Sequence, residues 1–192
     1  MPRIDAPTVA EHHVMRRSAV VAAARELLAT GGPSAVTPAG VAARAGLART
    51  SVYQYFGSTG ALVAAAVEAT FADANETLAD AVARAGDPTA RVRAYVRHAL
   101  LLAARDHGPF RRLSFTDLPP ECVARVRELH GAMLAPLRSA LADLGVQDVP
   151  LATSLVFGAV SAAAEVVEHG GELEGTVART LAFVDAGLGS VR

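Results

Sequence analysis

Apolar residues recur every three or four positions along almost the whole chain, which is the spacing of an amphipathic α-helix. No stretch alternates apolar and polar residues in the manner of a β-strand. Glycines and prolines separate the periodic segments. The pattern predicts helices that start at Arg16 and end at Gly31-Gly32, and others over 38–45, 49–56, 61–85, 92–103, 121–144, 150–169 and 172–187, with a short segment at 110–115. We therefore expect an all-α protein of about nine helices.

The two short helices over 38–45 and 49–56 form a recognisable unit. Thr37 can cap the first helix, Pro38 fits its first position, and Gly46 can end it. The second helix directs Val52 and Phe56 to one side and carries polar side chains elsewhere. Two short helices joined by a tight, glycine-containing turn are the helix-turn-helix pattern, which places its second helix in the major groove. DNA is therefore the first partner to test.

Over about residues 14–62 the chain resembles the TetR family of bacterial transcriptional regulators. The family pattern is a helix ending in glycine, a threonine, an Ile-Ala or Val-Ala pair, Ala-Gly-Val, a Leu-Tyr-x-His/Tyr-Phe run and Lys-x-x-Leu. The matching residues are Gly31, Thr37, Val41-Ala42, Ala45-Gly46-Leu47, Val52-Tyr53-Gln54-Tyr55-Phe56 and Leu62. The resemblance implies a three-helix DNA-binding head over 1–60, with the helix-turn-helix at about 37–56. It also implies a helical body over 61–192 that binds a ligand and dimerises.

Three residues depart from the family pattern. Ala48 stands where a serine usually caps the second helix, a change worth about 1 kcal/mol of helix stability. Thr59 replaces a lysine that would contact a phosphate, which removes one salt-dependent contact. Gly60 replaces a common acidic residue. These changes suggest weaker anchoring to the DNA backbone, for which Arg49 can compensate in part.

The expected DNA-contacting residues lie in and around the second short helix: Thr37, Arg49, Thr50, Ser51, Tyr53, Gln54, Tyr55 and Thr59. Arg49 and Gln54 are assigned to base edges, because guanidinium and amide groups match guanine and adenine bidentately. Thr50 and Ser51 can reach a base edge or a phosphate. The two tyrosines and the capping threonine are assigned to phosphates, which set the register. Phe56 is expected to pack inside the head.

The resemblance also implies an effector pocket between the long helices of the body. Candidate lining residues are Phe71, Tyr95, His98, Leu102, Phe110, Phe115, His130, Met133 and Phe157, with Glu165 as a further polar group. Ligand pockets combine apolar walls with a few polar groups. Aromatic and methionine residues at helical spacing are nevertheless more often core residues, and that alternative stays open for each of them.

The segment Leu151 to Val167 is apolar on almost every face, which predicts a helix buried on all sides. In TetR-like proteins the last two helices form a four-helix dimer interface with their copies. We expect this homodimer here, because two heads must read half-sites about 34–36 Å apart. The alternative is a central core helix within one subunit.

Charge and composition limit the other functional classes. The net charge of −1 conceals an excess of three positive charges in residues 1–60, as expected of a basic head on an acidic body. Ordinary fluctuation among surface charges is the alternative. The single Cys122 excludes an internal disulfide, and the chain contains no lysine for a phosphate-binding P-loop. We read His12-His13 as a mobile terminal pair, solvated or close to a phosphate. No cofactor, metal site, membrane span or signal peptide is expected, which predicts a cytoplasmic protein without enzymatic activity.

Together these features predict a homodimeric, ligand-responsive DNA-binding regulator that represses transcription from a palindromic operator. The resemblance implies that a small molecule entering the body shifts the long helix over 61–85 and changes the separation of the two heads. Two alternatives remain. One is a helical small-molecule-binding protein or enzyme with a vestigial DNA-binding head, and the other is an interaction protein that uses its last helices for hetero-assembly.

Overall fold

The computed structural model describes residues 9–105 and 120–189. Within these ranges the chain forms eight α-helices, one short 3₁₀ turn at Pro33–Ala35 and no strand. The helices are α1 (Val9–Gly31), α2 (Pro38–Ala45), α3 (Arg49–Tyr55), α4 (Thr59–Arg84), α5 (Pro88–Arg105), α6 (Pro120–Asp143), α7 (Val149–Glu168) and α8 (Leu173–Gly189). The all-α class is confirmed, and the helix count is close to the prediction. The predicted segment at 110–115, and with it Phe110 and Phe115, lies outside the described residues.

Helix α1 begins well before the predicted start at Arg16. His12 and His13 lie within it, so the interpretation of these residues as a mobile terminal pair is wrong. The prediction relied on an apolar stripe, and the residues from 11 to 19 do not form one. In the structure their side chains are all exposed. No proline or glycine interrupts this stretch, so nothing in its sequence ends the helix.

The first three helices and the N-terminal half of α4 enclose one apolar cluster, which we call the head cluster. Its most deeply buried members are Val20, Ala24, Leu28, Val41, Val52, Leu62, Ala66 and Val67. Phe56 is buried in the same cluster, which confirms the packing role expected of it. Val126 from α6 completes the cluster, so one body helix reaches the head.

A second cluster, the body cluster, lies between the C-terminal half of α4 and helices α5 to α8. Tyr95, Leu100, Leu137 and Leu141 are among its fully buried members. Helix α4 contributes to both clusters, through Leu62 to Val67 at one end and through Leu78 and Val82 at the other. A displacement of α4 would therefore disturb both clusters, although the expected division between head and body falls at its first turn.

Within the single chain, helix α7 is buried on its inner side, and its outer side is exposed, unlike a central core helix. Its inner face packs against α5, α6 and α8, whereas Leu155 is 62% exposed and Val166 is 52% exposed. Apolar residues surround the whole helix, so the pattern could not show which face lacks a partner within the chain. By length and composition alone α7 could cross a membrane, but in this fold its inner face is part of the bundle.

Candidate nucleic-acid interface and body site

Two hydrogen bonds and a left-handed glycine fix the geometry of the turn between α2 and α3. The Gly40 N–H donates to the hydroxyl oxygen of Thr37 at 3.1 Å, so Thr37 caps α2 as its sequence predicts. Gly46 adopts a left-handed conformation with φ of 66°, which costs glycine little. The Leu47 N–H then donates to the carbonyl of Ala42 at 2.9 Å. A rigid turn of this kind holds α3 at a defined angle to α2.

Helix α3 is anchored on one side and open on the other. Val52 is fully buried in the head cluster, whereas Arg49, Thr50 and Gln54 are exposed. Tyr53 is 45% exposed, which argues against packing inside the head as its main role. The groups expected to touch DNA are thus presented to solvent, on a helix whose position is set by its apolar side.

Three further predicted contact residues lie at the edges of this surface. The ring of half-buried Tyr55 packs against the ring of His13 in α1, with centroids 4.9 Å apart. Thr37 and Thr59 are exposed at the first turns of α2 and α4. At the start of α4 the side chain of Ser58 accepts a hydrogen bond from the Ala61 N–H at 3.0 Å, so Thr59 is not needed as a cap.

Within the body, Tyr95 is the most unusual of the predicted ligand-binding residues. It is almost completely buried in α5, and its hydroxyl oxygen has no hydrogen-bond partner among the described residues. Burial raises the pKa of the Tyr95 phenol, and the positive charge of Arg138 opposes this shift. A buried polar group normally has a partner, so this hydroxyl calls for an explanation.

His130 and Phe157 connect α6 to α7 near the same group of helices. Their rings meet edge to face, with centroids 5.1 Å apart. Burial lowers the pKa of His130, and the positive charge of Arg138 lowers it further. Tyr95 and His130 lie on α5 and α6, which pack against each other.

The other predicted pocket residues divide between the two clusters. Leu102 and Met133 pack against the body cluster, whereas Phe71 packs against the head cluster. The Nδ1 atom of half-buried His98 lies 2.8 Å from the carbonyl oxygen of Ala94 one turn earlier, and Glu165 is exposed. Phe71 is therefore separated from the group around Tyr95. Among the described residues, no cluster of acidic, histidine or cysteine side chains is suited to holding a metal ion.

An apolar groove runs along the outer surface of α7 and α8. It has a volume of about 780 Å³, and Arg179 is the single charged residue of its lining. Phe183 projects from α8 at this groove and is 70% exposed. The sequence analysis did not single out Phe183. The available signal was Phe183 itself, a large apolar residue at the edge of the apolar face of α8 that buries Val177 and Val184.

Residues 20–66 match the family model of the bacterial regulatory proteins of the tetR family. This match covers α2 and α3 together with most of α1 and the first turns of α4. The resemblance seen in the sequence is confirmed, and the chain contains the N-terminal domain of that family. No curated protein sequence matches the chain significantly.

Over most of its length the chain has the fold of several solved transcriptional regulators. The fatty acid degradation regulator FadR from Bacillus halodurans is 18% identical with a TM-score of 0.75, and the similarity covers 92% of this chain and 96% of that one. FadR from Bacillus subtilis, solved with stearoyl-CoA, is 19% identical with a TM-score of 0.74, covering 87% and 96%. A TetR/AcrR-family regulator from Thermobifida fusca is 22% identical with a TM-score of 0.71, covering 93% and 99%.

Proposed function

We propose that this TetR-type protein acts in the cytoplasm as a homodimeric repressor, which a small molecule releases from a palindromic operator. The observation that carries the proposal is the construction of α3. Its buried Val52 fixes the helix on the head, and Arg49, Thr50 and Gln54 remain free to enter a groove. Such a helix supplies the groups that major-groove recognition requires.

Base reading is assigned to Arg49 and Gln54, at the two ends of the exposed face of α3. Arginine can donate two hydrogen bonds to guanine, and glutamine can exchange two with adenine. Thr50 and Ser51 supply further hydroxyl groups to a base edge or a phosphate. Phosphate contacts from Thr37, Tyr53, Tyr55 and Thr59 would fix the register of the head on the duplex.

DNA binding is tested by shift assays with the DNA upstream of the protein's own gene, at low and moderate salt. Arg49→Ala and Gln54→Ala should each cost about 1–3 kcal/mol at the specific site and relax the preference for one base pair. Arg84→Ala is a matched control, because Arg84 is an exposed arginine at the far end of α4. Unchanged operator affinity in both head variants would contradict the assignment. Complete absence of DNA binding would favour a ligand-binding protein with a vestigial head.

The dimer is proposed to form through the outer surface of α7 and α8. Contiguous exposed apolar surface of this kind marks an interaction site in a soluble protein. A two-fold axis would bring the same surface of both subunits together, so that Phe183 of each enters the groove of the other. Small residues at Gly158, Ala159 and Ala162 leave room for the close approach of a second helix pair.

An effector site is proposed between α5, α6 and α7, around Tyr95, His130 and Phe157. The buried Tyr95 hydroxyl supports this position, since a ligand with a hydrogen-bonding group would satisfy it. Helix α6 passes this site and also contributes Val126 to the head cluster. Ligand binding could therefore move α6 and α4 together and alter the separation of the heads, provided that the ligand prefers the released state by a few kcal/mol.

The same shift assay tests whether a small molecule releases the protein from DNA. Stearoyl-CoA is the first probe, because the Bacillus subtilis FadR structure contains it. If it is an effector here, it should displace the preformed protein–DNA complex. Tyr95→Phe should leave DNA binding intact, because the hydroxyl makes no hydrogen bond to the described residues, and should weaken displacement. Equal displacement of the wild type and of Tyr95→Phe would show that the Tyr95 hydroxyl does not bind the effector.

A further inference from the structure

The first turns of α1 form a basic surface that lies outside the family match. That match begins at Val20, whereas α1 begins at Val9. The exposed residues between them include one acid, Glu11, and four groups that carry or can acquire positive charge: His12, His13, Arg16 and Arg17. This surface, which we call the basic turns, has had no role in the function proposed above.

The basic turns are exposed to solvent and lie on the side of α1 next to the end of α3. In a helix with about 3.6 residues per turn, His13, Arg16 and Arg17 fall on the same side as buried Val20, because they precede it by seven, four and three positions. Two contacts confirm this orientation. The rings of His13 and Tyr55 pack at a tilt of 50° with centroids 4.9 Å apart, and the guanidinium of Arg17 lies 5.1 Å from the ring centroid of Phe56. The basic groups therefore adjoin the C-terminal end of α3.

The arginines of the head also differ in whether an acidic group neutralises them. Arg25 and Arg44 form ion pairs with carboxylates, at 2.6 and 3.0 Å. Arg16, Arg17 and Arg49 form no ion pair within the described part of the chain. The uncompensated charge thus lies at both ends of α3, with Arg49 at its start and the basic turns at its end. A helix of seven residues separates these ends by about 10 Å.

We propose that Arg16 and Arg17, with His12 and His13 beside them, bind the DNA phosphates next to the groove that α3 reads. This inference rests on the proposed function insofar as the partner is DNA. Phosphate affinity depends on cationic side chains that no acid of the protein already compensates. Position 59 is a threonine, so α4 begins without a cation there. The basic turns supply the anchoring charge from a different helix.

Arg16 is the residue to test, because Arg17 also packs on Phe56 and its loss would disturb the head. The experiment measures affinity for operator DNA and for a scrambled duplex at several salt concentrations between about 50 and 200 mM. These affinities give the slope of log K against log salt for each duplex. For Arg16→Ala the slope of log K against log salt should fall by about 1.8 for the dimer, or about 0.9 for each head. Affinity should fall on both duplexes alike. Arg16→Lys should restore the slope, and Arg84→Ala should not change it.

Each outcome decides between the two proposals. A slope for Arg16→Ala equal to that of Arg84→Ala would overturn this inference while leaving operator reading by Arg49 intact. A loss confined to the operator, with the slope unchanged, would also overturn it, because it would mean that Arg16 reads bases. A reduced slope on scrambled DNA, with no effect of Arg49→Ala on the operator, would support the basic turns and contradict the base-reading assignment. If wild-type protein bound neither duplex, both proposals would be wrong.

Discussion

Ala48 is the residue at which α3 most clearly lacks a stabilising group. It has the extended backbone of a helix cap, with φ of −69° and ψ of 144°, but no side-chain oxygen to accept a hydrogen bond. Free N–H groups in the first turn of α3 are consequently left to solvent or to DNA. The position therefore accommodates a serine without any change in backbone conformation.

We predict that Ala48→Ser stabilises the protein by about 0.5–1 kcal/mol, because the serine oxygen can cap the first turn of α3. Thermal unfolding should show an increase in Tm of about 2–4 °C per kcal/mol for a chain of this size. The matched control is Ala43→Ser, which adds the same hydroxyl to an exposed position inside α2. An equal effect of both serines on Tm would show that capping is not the cause.

Local chemistry explains why some residues were predictable and others were not. The cap at Thr37, the turn at Gly46 and the anchor at Val52 follow from short-range patterns, and the structure reproduces all three. Whether the Tyr95 hydroxyl finds a hydrogen-bond partner depends on the side chains of the other helices that pack against α5. No spacing in the sequence encodes such surroundings, so a buried tyrosine with a partner and one without a partner look alike.

At the scale of elements, amphipathic helices were easier to predict than helices that are apolar all round or exposed all round. Helices α4 to α6 have one clear apolar stripe, and their predicted bounds lie close to the observed ones where the structure describes them. The first turns of α1 have no apolar stripe, so their helix was missed. Helix α7 has apolar residues on every side, so the face open to a partner could not be read from the pattern.

The outer surface of α7 and α8 should not tolerate a charge at Phe183. If the proposed dimer forms, Phe183→Glu should convert it to monomers, because an isologous interface would place the new charge in an apolar groove twice per dimer. Sedimentation or light scattering at several concentrations measures the mass. Val14→Glu is the control, since Val14 is an equally exposed apolar residue on α1. A Phe183→Glu protein that remained dimeric at low concentration would place the interface elsewhere.

For the molecule as a whole, α4 and α6 join the head to the body. The carboxylate of Glu68 on α4 bonds to Arg125 on α6 at 3.0 Å, and Val126 packs in the head cluster beside this pair. An exposed ion pair contributes little stability by itself, so the apolar contact is the stronger link. Head and body were both predicted from the sequence, but this connection was not, because it depends on contacts between distant segments.

Stability of the whole molecule should depend on the protonation of His130. Burial and Arg138 lower the pKa of His130 in the folded protein below the ordinary value of 6.5, which the unfolded chain retains. The unfolded state therefore binds the proton first as the pH falls, and acid favours unfolding. The contribution of His130 is present in full above pH 6.5 and is lost as the pH falls towards the lowered folded-state pKa.

We predict that the free energy of unfolding, measured by urea titration between pH 8 and about pH 5, declines less steeply in His130→Gln than in the wild type. One proton taken up only by the unfolded state changes this free energy by at most about 1.4 kcal/mol per pH unit, which sets the upper limit of the difference. His12→Gln removes an exposed histidine from α1 and should leave the wild-type slope unchanged. Parallel pH profiles for wild type and His130→Gln would mean that Arg138 and burial do not perturb His130 in solution. The histidine would then remain free to take up a proton in the folded body.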